Sequence, residues 1–396
     1  MSSSTPAKRV RPGLVHFALA AGGFAIGTTE FATMSLLPFM AKGLGVDEPT
    51  AGHVISAYAL GVVVGAPLIA TIGARFERRS LLIVLMAVFA VANGLSAAAP
   101  TYEWMLFFRF LSGLPHGAYF GVAALVAASL VPDDRRTKAV ARVMLGLTTA
   151  TVVGVPIANV LGQALGWRWG FALVAAVALL TVTLVWLVVP RQAPDRGASP
   201  MRELGALRNE QVWLTLGIGA IGFGGMFAIY TYLASTLMEV TMVGPEVVPI
   251  ALAIFGIGTT LGNLIVPRFA DRALMPTAGA LLVWSAVALA FYAVAATNIF
   301  AICIAVLAVG FGGALGTVLQ TRLMDVAGNA QTLAAALNHS AFNAANALGP
   351  WLGGLAISAG YGWESTGWVG CGLALAGLAI WAIAVRRVRQ PRLACA

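Results

Sequence analysis

Charge is what this sequence has least of. Only 10% of its 396 residues are Asp, Glu, Lys or Arg. A soluble domain carries about 25%, so an ordinary water-soluble fold is excluded. Lysine is nearly missing, with only Lys8, Lys42 and Lys138 among many arginines, a bias that fits a GC-rich bacterial genome. Cysteine is scarce as well. Cys303 and Cys371 sit in apolar runs and Cys395 in the tail. No pair has metal-ligand spacing, and nothing suggests a disulfide framework or a bound metal. H-E-x-x-H, the P-loop and G-x-S-x-G are all missing, which removes the catalytic classes they mark. No cofactor is expected, the chain is not expected to be an enzyme, and no nucleotide site exists to supply energy.

What is present is 59% hydrophobic residues and a formal net charge of +9. The basic residues lie in short segments between apolar runs. That is the pattern of membrane orientation signals, not of a nucleic-acid partner. Apolar runs of about 20 residues or more occur twelve times, at 14–40, 50–73, 80–99, 102–131, 138–163, 167–189, 212–237, 247–268, 274–296, 299–320, 331–358 and 364–385. Lys8, Arg9 and Arg11 precede the first run as in a signal peptide. The run is too long for an h-region and contains Glu30, so it reads as a retained first span. With both termini cytoplasmic, every basic residue except Lys42, Arg168 and Arg109 falls inside, as the positive-inside rule asks. Asp47, Glu48, Glu103, Glu239, Glu246 and Glu364 then decorate the outer loops.

The long polar connection 190–211 is rich in Pro, Gly and Arg and reads as a cytoplasmic linker. It divides the chain into two six-span bundles, 1–189 and 212–396. The bundles carry a weak repeat. Gly61, Gly65 and Arg75 match Gly258, Gly262 and Arg272, each pair 197 positions apart. Span 5 has a small-residue ridge at Gly146, Ala150, Gly154, Ala158 and Gly162 with Pro156. Span 11 has Ala341, Ala345, Gly349 and Gly353 with Pro350. The expected fold is an all-α membrane protein of twelve helices in two pseudo-symmetric bundles. Parallel six-span repeats point to a transporter whose halves rock about a midplane site.

Polar groups within the apolar runs are the candidate site. Glu30 is the one acid inside a span, about eight residues or ~12 Å below the outer face. Arg109 lies at the same depth in span 4, so the two charges can pair. One reading is a proton site, since ionisable groups in a membrane are usually functional; the other is a static ion pair pinning spans 1 and 4. His116 shares the face of Arg109, with Gly113, Gly117 and Gly121 in register and Pro115 inviting a kink. His116 and His339 can relay a proton, bind substrate, or simply hydrogen-bond between helices. Asn338, Asn343 and Asn346 of span 11 line a polar cavity or knit helices together. Phe24, Phe31, Tyr58, Tyr119, Phe223, Phe227 and Tyr230 are candidate cavity walls, with plain packing the alternative. His16 and His53, near span ends, read as interfacial.

These residues resemble the major facilitator superfamily, in particular its twelve-span drug:proton antiporters near the arabinose-efflux-permease-like and chloramphenicol-exporter proteins. T-E-F at Thr29–Phe31 looks like that branch's first-span motif. R-F-L-S-G-L-P-H-G at Arg109–Gly117 looks like the fourth-span motif, whose Arg is implicated in proton handling. Gly146, Gly154 and Pro156, followed by G-W-R at Gly166–Arg168, look like the fifth-span antiporter motif. One departure stands out. The loop after span 2 reads G-A-R-F-E-R-R, keeping Arg75, Arg78 and Arg79 but placing Ala74 and Glu77 where the family has Asp and Gly. The second half keeps Asp271 and Arg272, so its cytoplasmic-gate contact is the better preserved.

The resemblance implies a multi-pass protein of the bacterial inner membrane, expected as a monomer. Spans 1, 4, 7 and 10 would line the cavity. The expected function is proton-coupled export of small neutral or weakly polar molecules such as chloramphenicol-like compounds, that is, multidrug efflux and antibiotic resistance by antiport. The alternative within the fold is a sugar or nucleoside metabolite exporter. A polytopic membrane enzyme or receptor is a further class, against which the missing catalytic motifs and the repeat both count.

Overall fold

A computed structural model of the chain describes residues 11–73, 76–132, 136–191, 207–327 and 331–389. Arg75 and most of the linker lie outside them. Among the described residues there is no strand. In lipid the backbone must satisfy its own hydrogen bonds, and a helix does so within one segment.

All twelve apolar runs are helical. α1 is Pro12–Ser35, α2 Glu48–Gly73, α3 Arg78–Ala97, α4 Tyr102–Ser129, α5 residues 136–165 and α6 Arg168–Val188. α7 is Glu210–Glu239, α8 Val248–Ile265, α9 Leu274–Ala295, α10 Ile299–Ala327, α11 Gln331–Ser358 and α12 Ser365–Arg389. Eleven are long and apolar enough to cross a membrane. The twelfth, α11, runs 28 residues and carries Asn338, His339, Asn343 and Asn346, so it lies outside that set.

Local chemistry sets the ends and breaks. Pro12 occupies the first turn of α1, where its missing N–H costs nothing. Asn209 caps α7, and Asn298 caps α10 by accepting from Phe300 and Ala301 N–H, both at 3.0 Å. After α1 a short helix, Leu37–Leu44, ends on Gly45 at φ 70°, the left-handed closure glycine favours. α4 is interrupted between Gly113 and His116, where Pro115 stands. α5 widens to a π-helical turn over Ala150–Gly154, just ahead of Pro156. Proline lacks an N–H and crowds the preceding turn, and a π turn accommodates both.

The repeat is visible as packing. A Cβ on Gly61 would meet the Phe110 carbonyl oxygen at 2.2 Å, and one on Gly258 the Leu307 oxygen at 2.2 Å. Gly65 meets Leu114 O at 2.2 Å, and Gly262 meets Phe311 O at 2.3 Å. Gly113 meets Tyr58 O at 2.1 Å, and Gly310 meets Phe255 O at 2.4 Å. Each residue in one member of these pairs lies 197 positions from its counterpart. α2 therefore packs on α4 as α8 packs on α10, backbone against backbone, as small residues allow in lipid.

Contacts between the first and second halves of the chain run through α2 against α11, α5 against α8, α1 against α7 and α4 against α11. The π turn of α5 faces α8, since a Cβ on Gly256 would lie 2.8 Å from Thr151 O. At the end of the bundle away from the termini, Ser235 donates to Glu48 and Gln163 to Pro245 O at 2.9 Å. Glu48, expected in an outer loop, instead opens α2 and is half-buried between α2 and α7. His16, near the start of α1, is buried, its Nε2 3.3 Å from Ala127 O. His53 is exposed beside the Tyr102 hydroxyl at 3.0 Å.

Candidate functional site

Glu30, Arg109 and His116 are all buried, with 6%, 1% and 2% of their surface exposed. The expected direct pair is not formed. Among the described residues no ion pair within 4.0 Å joins Glu30 to Arg109. Arg109 instead donates from Nη1 to Thr29 Oγ1 at 3.1 Å and to Ser112 Oγ at 3.4 Å. Its guanidinium lies 4.3 Å from the Tyr58 ring centroid and 5.4 Å from that of Phe171. Such faces attract a desolvated cation by about 2 kcal/mol. Its Nε is buried without a partner. Thr29 in turn donates its hydroxyl hydrogen bond to Asn93 Oδ1 at 2.6 Å, and Asn93 donates to Phe89 O at 2.8 Å. This polar well holds the cation beside Glu30 without neutralising the acid in a closed pair.

The carboxylate of Glu30 turns to the other half of the chain. Asn346 of α11 donates its amide to Oε1 at 3.2 Å. From Arg109 the chain of contacts runs on through Tyr58, whose hydroxyl is 2.8 Å from His116 Nδ1. The His116 ring lies 5.7 Å from His339, and Phe120 stacks on His339 at 5.1 Å with planes 3° apart. The structure thus brings Glu30, Arg109, Tyr58, His116 and His339 together from α1, α2, α4 and α11.

The aromatic candidates divide. Phe31 stacks on Phe227 at 6.2 Å and meets Tyr230 edge-on at 5.3 Å. Phe255, Phe223 and Phe342 extend this group across α1, α7, α8 and α11. Tyr119 is not part of it: it is fully buried, with its hydroxyl donating to Leu19 O at 2.8 Å, and so pins α4 to α1. Phe24 is half-buried against Gly154. Asn338 donates to Gln320 of α10 at 3.3 Å, and Asn343 to the His339 carbonyl at 3.0 Å.

The motif glycines serve packing. A Cβ on Gly146 would lie 2.0 Å from Ala20 O, and one on Gly154 2.2 Å from Thr28 Oγ1, so α5 lies tight on α1. In the loop group, Glu77 accepts from Ser80 at 2.6 Å, and Arg79 donates to Trp186 O at 2.5 Å, tying α3 to the end of α6. Arg78 opens α3. Asp271 and Arg272 are exposed and make no side-chain hydrogen bond among the described residues. An apolar recess of about 380 Å³ between α9 and α12, lined by Met275, Gly279, Leu378 and Trp381 among others, shares no residue with the site.

Sequence reasoning left open which amide mattered. Asn346 is the one that reaches Glu30. Thr29, Ser112 and Phe120 were missed as partners, although Ser112 and Phe120 sit three residues beyond Arg109 and four beyond His116, the spacing at which helical side chains meet.

The comparisons agree with this architecture. The sequence profile of the Major Facilitator Superfamily matches residues 19–286 and 216–394. The chain is 40% identical over 350 residues to the "Inner membrane transport protein YdhP" of Escherichia coli K12, covering 88% of this chain and 90% of that one. It is 34% identical over 341 residues to the "Chloramphenicol resistance protein" of Streptomyces lividans, covering 84% and 86%. The solved inward-facing structure of a bacterial homologue of the human lysosomal transporter Spinster superposes with a TM-score of 0.70 at 18% identity, covering 96% and 98%, a likeness of fold alone. Apolar helices, a repeated helix-pair packing and a matched profile together place this chain in the major facilitator superfamily, as a multi-pass membrane transporter of small molecules and not an enzyme.

Proposed function

We propose that this protein exports a small uncharged molecule in exchange for protons, by alternating access between bundles 1–189 and 212–396. The observation that carries the reading is Glu30, a buried carboxyl in the first half whose amide partner, Asn346, belongs to the second. Carrying a carboxylate out of water costs several kcal/mol unless it is paired or protonated. Loading and unloading a proton therefore changes how strongly the two halves hold each other, which is what coupling requires.

In the cycle, a proton enters from outside onto Glu30, with Arg109 fixing the local field and His116 next along the contact chain. Protonation weakens ligand binding, and the ligand leaves outward. The carrier returns, releases its proton inside and reloads. Phe31, Phe227 and Tyr230 form the apolar wall, with Tyr58, His339 and Asn343 as the polar side of the cavity. Phe24 and Asn338 flank it, and Gly146, Gly154 and Pro156 keep α5 tight on α1 during the motion. Arg75, Glu77, Arg78, Arg79, Asp271 and Arg272 gate the cytoplasmic end, which carries both termini. The protein works as a monomer in the bacterial inner membrane.

The site has one acid and one guanidinium, so little negative charge is spare for a cationic ligand. The relation to a protein named for chloramphenicol resistance favours a neutral drug-like molecule. The experiment is chloramphenicol uptake into everted vesicles with a pH-sensitive dye inside. Uptake driven by an imposed pH gradient in the wild type, and lost in Glu30→Gln, is the expected result. Uptake by Glu30→Gln at the wild-type rate overturns proton coupling at this residue. Proton movement provoked by sugars or nucleosides but not by chloramphenicol reassigns the substrate.

A further inference from the structure

Asn346 is fully buried in α11 and donates an amide hydrogen to Glu30, yet its carbonyl oxygen has no partner. Three residues earlier, on the same face of α11, buried Asn343 also leaves its carbonyl oxygen unpartnered. Buried polar atoms are rarely left unmade, and each costs about 1–3 kcal/mol. Two orphaned acceptors, three residues apart on one helix face and beside a charged acceptor, call for a donor-bearing guest.

We propose that Asn346 is the lock of the empty carrier: its amide bond to Glu30 holds the two halves together, and either a proton on Glu30 or an uncharged ligand donating N–H or O–H bonds to the carbonyls of Asn346 and Asn343 releases it. The inference rests on Glu30 being the proton site. A hydrogen bond to a charged group is roughly twice as strong as a neutral one. With Glu30 ionised and no ligand present, the cross-half bond is at its strongest and the halves stay put. Protonation removes the charge and weakens the bond. A ligand that engages the Asn346 carbonyl reorients the amide, with the same consequence. The carrier then moves when loaded with a proton or with ligand and rests when empty, which is the condition for exchange without leak. The ionisable groups around Glu30 are Arg109 from α4 and Tyr58 from α2, which bear on it electrostatically, and Tyr230 from α7, which packs on the adjoining Phe31. Beyond Tyr58 stand His116 and His339.

The test places spin labels on the full chain at Lys42 and Met242, which are exposed on the two halves, with the native cysteines replaced by serine. The wild type should give a narrow distance distribution at high pH. It should broaden as pH falls or when chloramphenicol is added. Asn346→Leu should be broad at every pH, and in proteoliposomes it should leak chloramphenicol downhill several-fold faster than the wild type without a pH gradient. Asn346→Gln, which keeps an amide, should regain part of the pH response. It also guards against misfolding of the leucine variant. A wild-type pH response in Asn346→Leu overturns the lock. If Glu30→Gln keeps the wild-type pH response, the proton-site reading itself fails. If Glu30→Gln loses it while Asn346→Leu keeps it, only the lock fails.

Discussion

The two halves use one scaffold and carry different chemistry. α2 on α4 and α8 on α10 make the same glycine-to-carbonyl contacts at residues 197 positions apart. At that same offset Glu30 becomes Phe227, Arg109 becomes Val306, Tyr58 becomes Phe255 and His116 becomes Gly313. At these four positions the first half holds the titratable groups and the second offers two rings, a valine and a glycine; what the second half brings to the site, His339 and Asn346, comes from α11. A repeated frame allows two bundles to pivot on each other. The chemistry needs only one acid, and a second buried carboxyl would add several kcal/mol of desolvation for no further gain.

The largest expected effects contrast those counterparts. Arg109→Leu leaves the Glu30 carboxylate without its nearby cation, and breaking a buried charge arrangement costs about 3–5 kcal/mol. Gradient-driven chloramphenicol uptake should fall roughly 100-fold or more. Val306→Ile at the matching position adds one methylene where no charge is held, and should change it by about tenfold at most, the equivalent of about 1.4 kcal/mol. Comparable losses in both variants would break the asymmetry.

The scaffold predicts the opposite pattern. Gly113→Ala and Gly310→Ala each thrust a methyl at a carbonyl oxygen, and overpacking of this kind costs about 1–3 kcal/mol. Thermal unfolding in detergent should show similar destabilisation for both. A large loss in one and none in the other would mean the repeat is not equally tight in the two halves.

Tyr119 sharpens the comparison, because its counterpart is Gly316. Tyr119→Phe removes a bond to Leu19 O and should cost about 0.5–1.5 kcal/mol of stability. Chloramphenicol affinity should not change. A weakened affinity with unchanged melting would return Tyr119 to the cavity wall.

The smallest effect concerns helix starts. Asp47 caps α2, its carboxylate accepting from Thr50 N–H at 2.7 Å, where the second half has Gly244. Hydrogen bonds from Thr50 hold this carboxyl below its ordinary range. A carboxyl depressed in the folded state adds stability above the unfolded value, and loses it as pH falls through the folded value. Asp47→Ala should therefore cost about 0.5–1 kcal/mol near pH 7, and the gap should close as the melt is repeated below about pH 4.

Much of the scaffold was legible in the residues. A lipid-spanning helix needs about 20 apolar residues, so the twelve runs could be counted. Pro115 marked a break, and Gly61 and Gly258 marked the repeat, whereas the π turn ahead of Pro156 was not foreseen. The matched depth of Glu30 and Arg109 was legible too, since rise per residue is fixed. Azimuth was not. Lipid is as apolar as a helix–helix contact, so hydrophobic periodicity did not show which face of α4 or α11 turns inward. That is why Arg109 was expected on Glu30 and sits on Thr29, Ser112 and Tyr58, and why Asn346 could not be told from Asn338 or Asn343. The burial of His16 and Glu48 escaped for a related reason: a helix end reads as interfacial until its neighbour is known.

The central claim is that Glu30 exchanges a proton as ligand comes and goes. The direct measurement is proton release on chloramphenicol binding, using purified full-length protein in weakly buffered detergent with a pH-sensitive dye. The account predicts release by the wild type and none by Glu30→Gln, with binding retained in both. Equal release from the two proteins would contradict it.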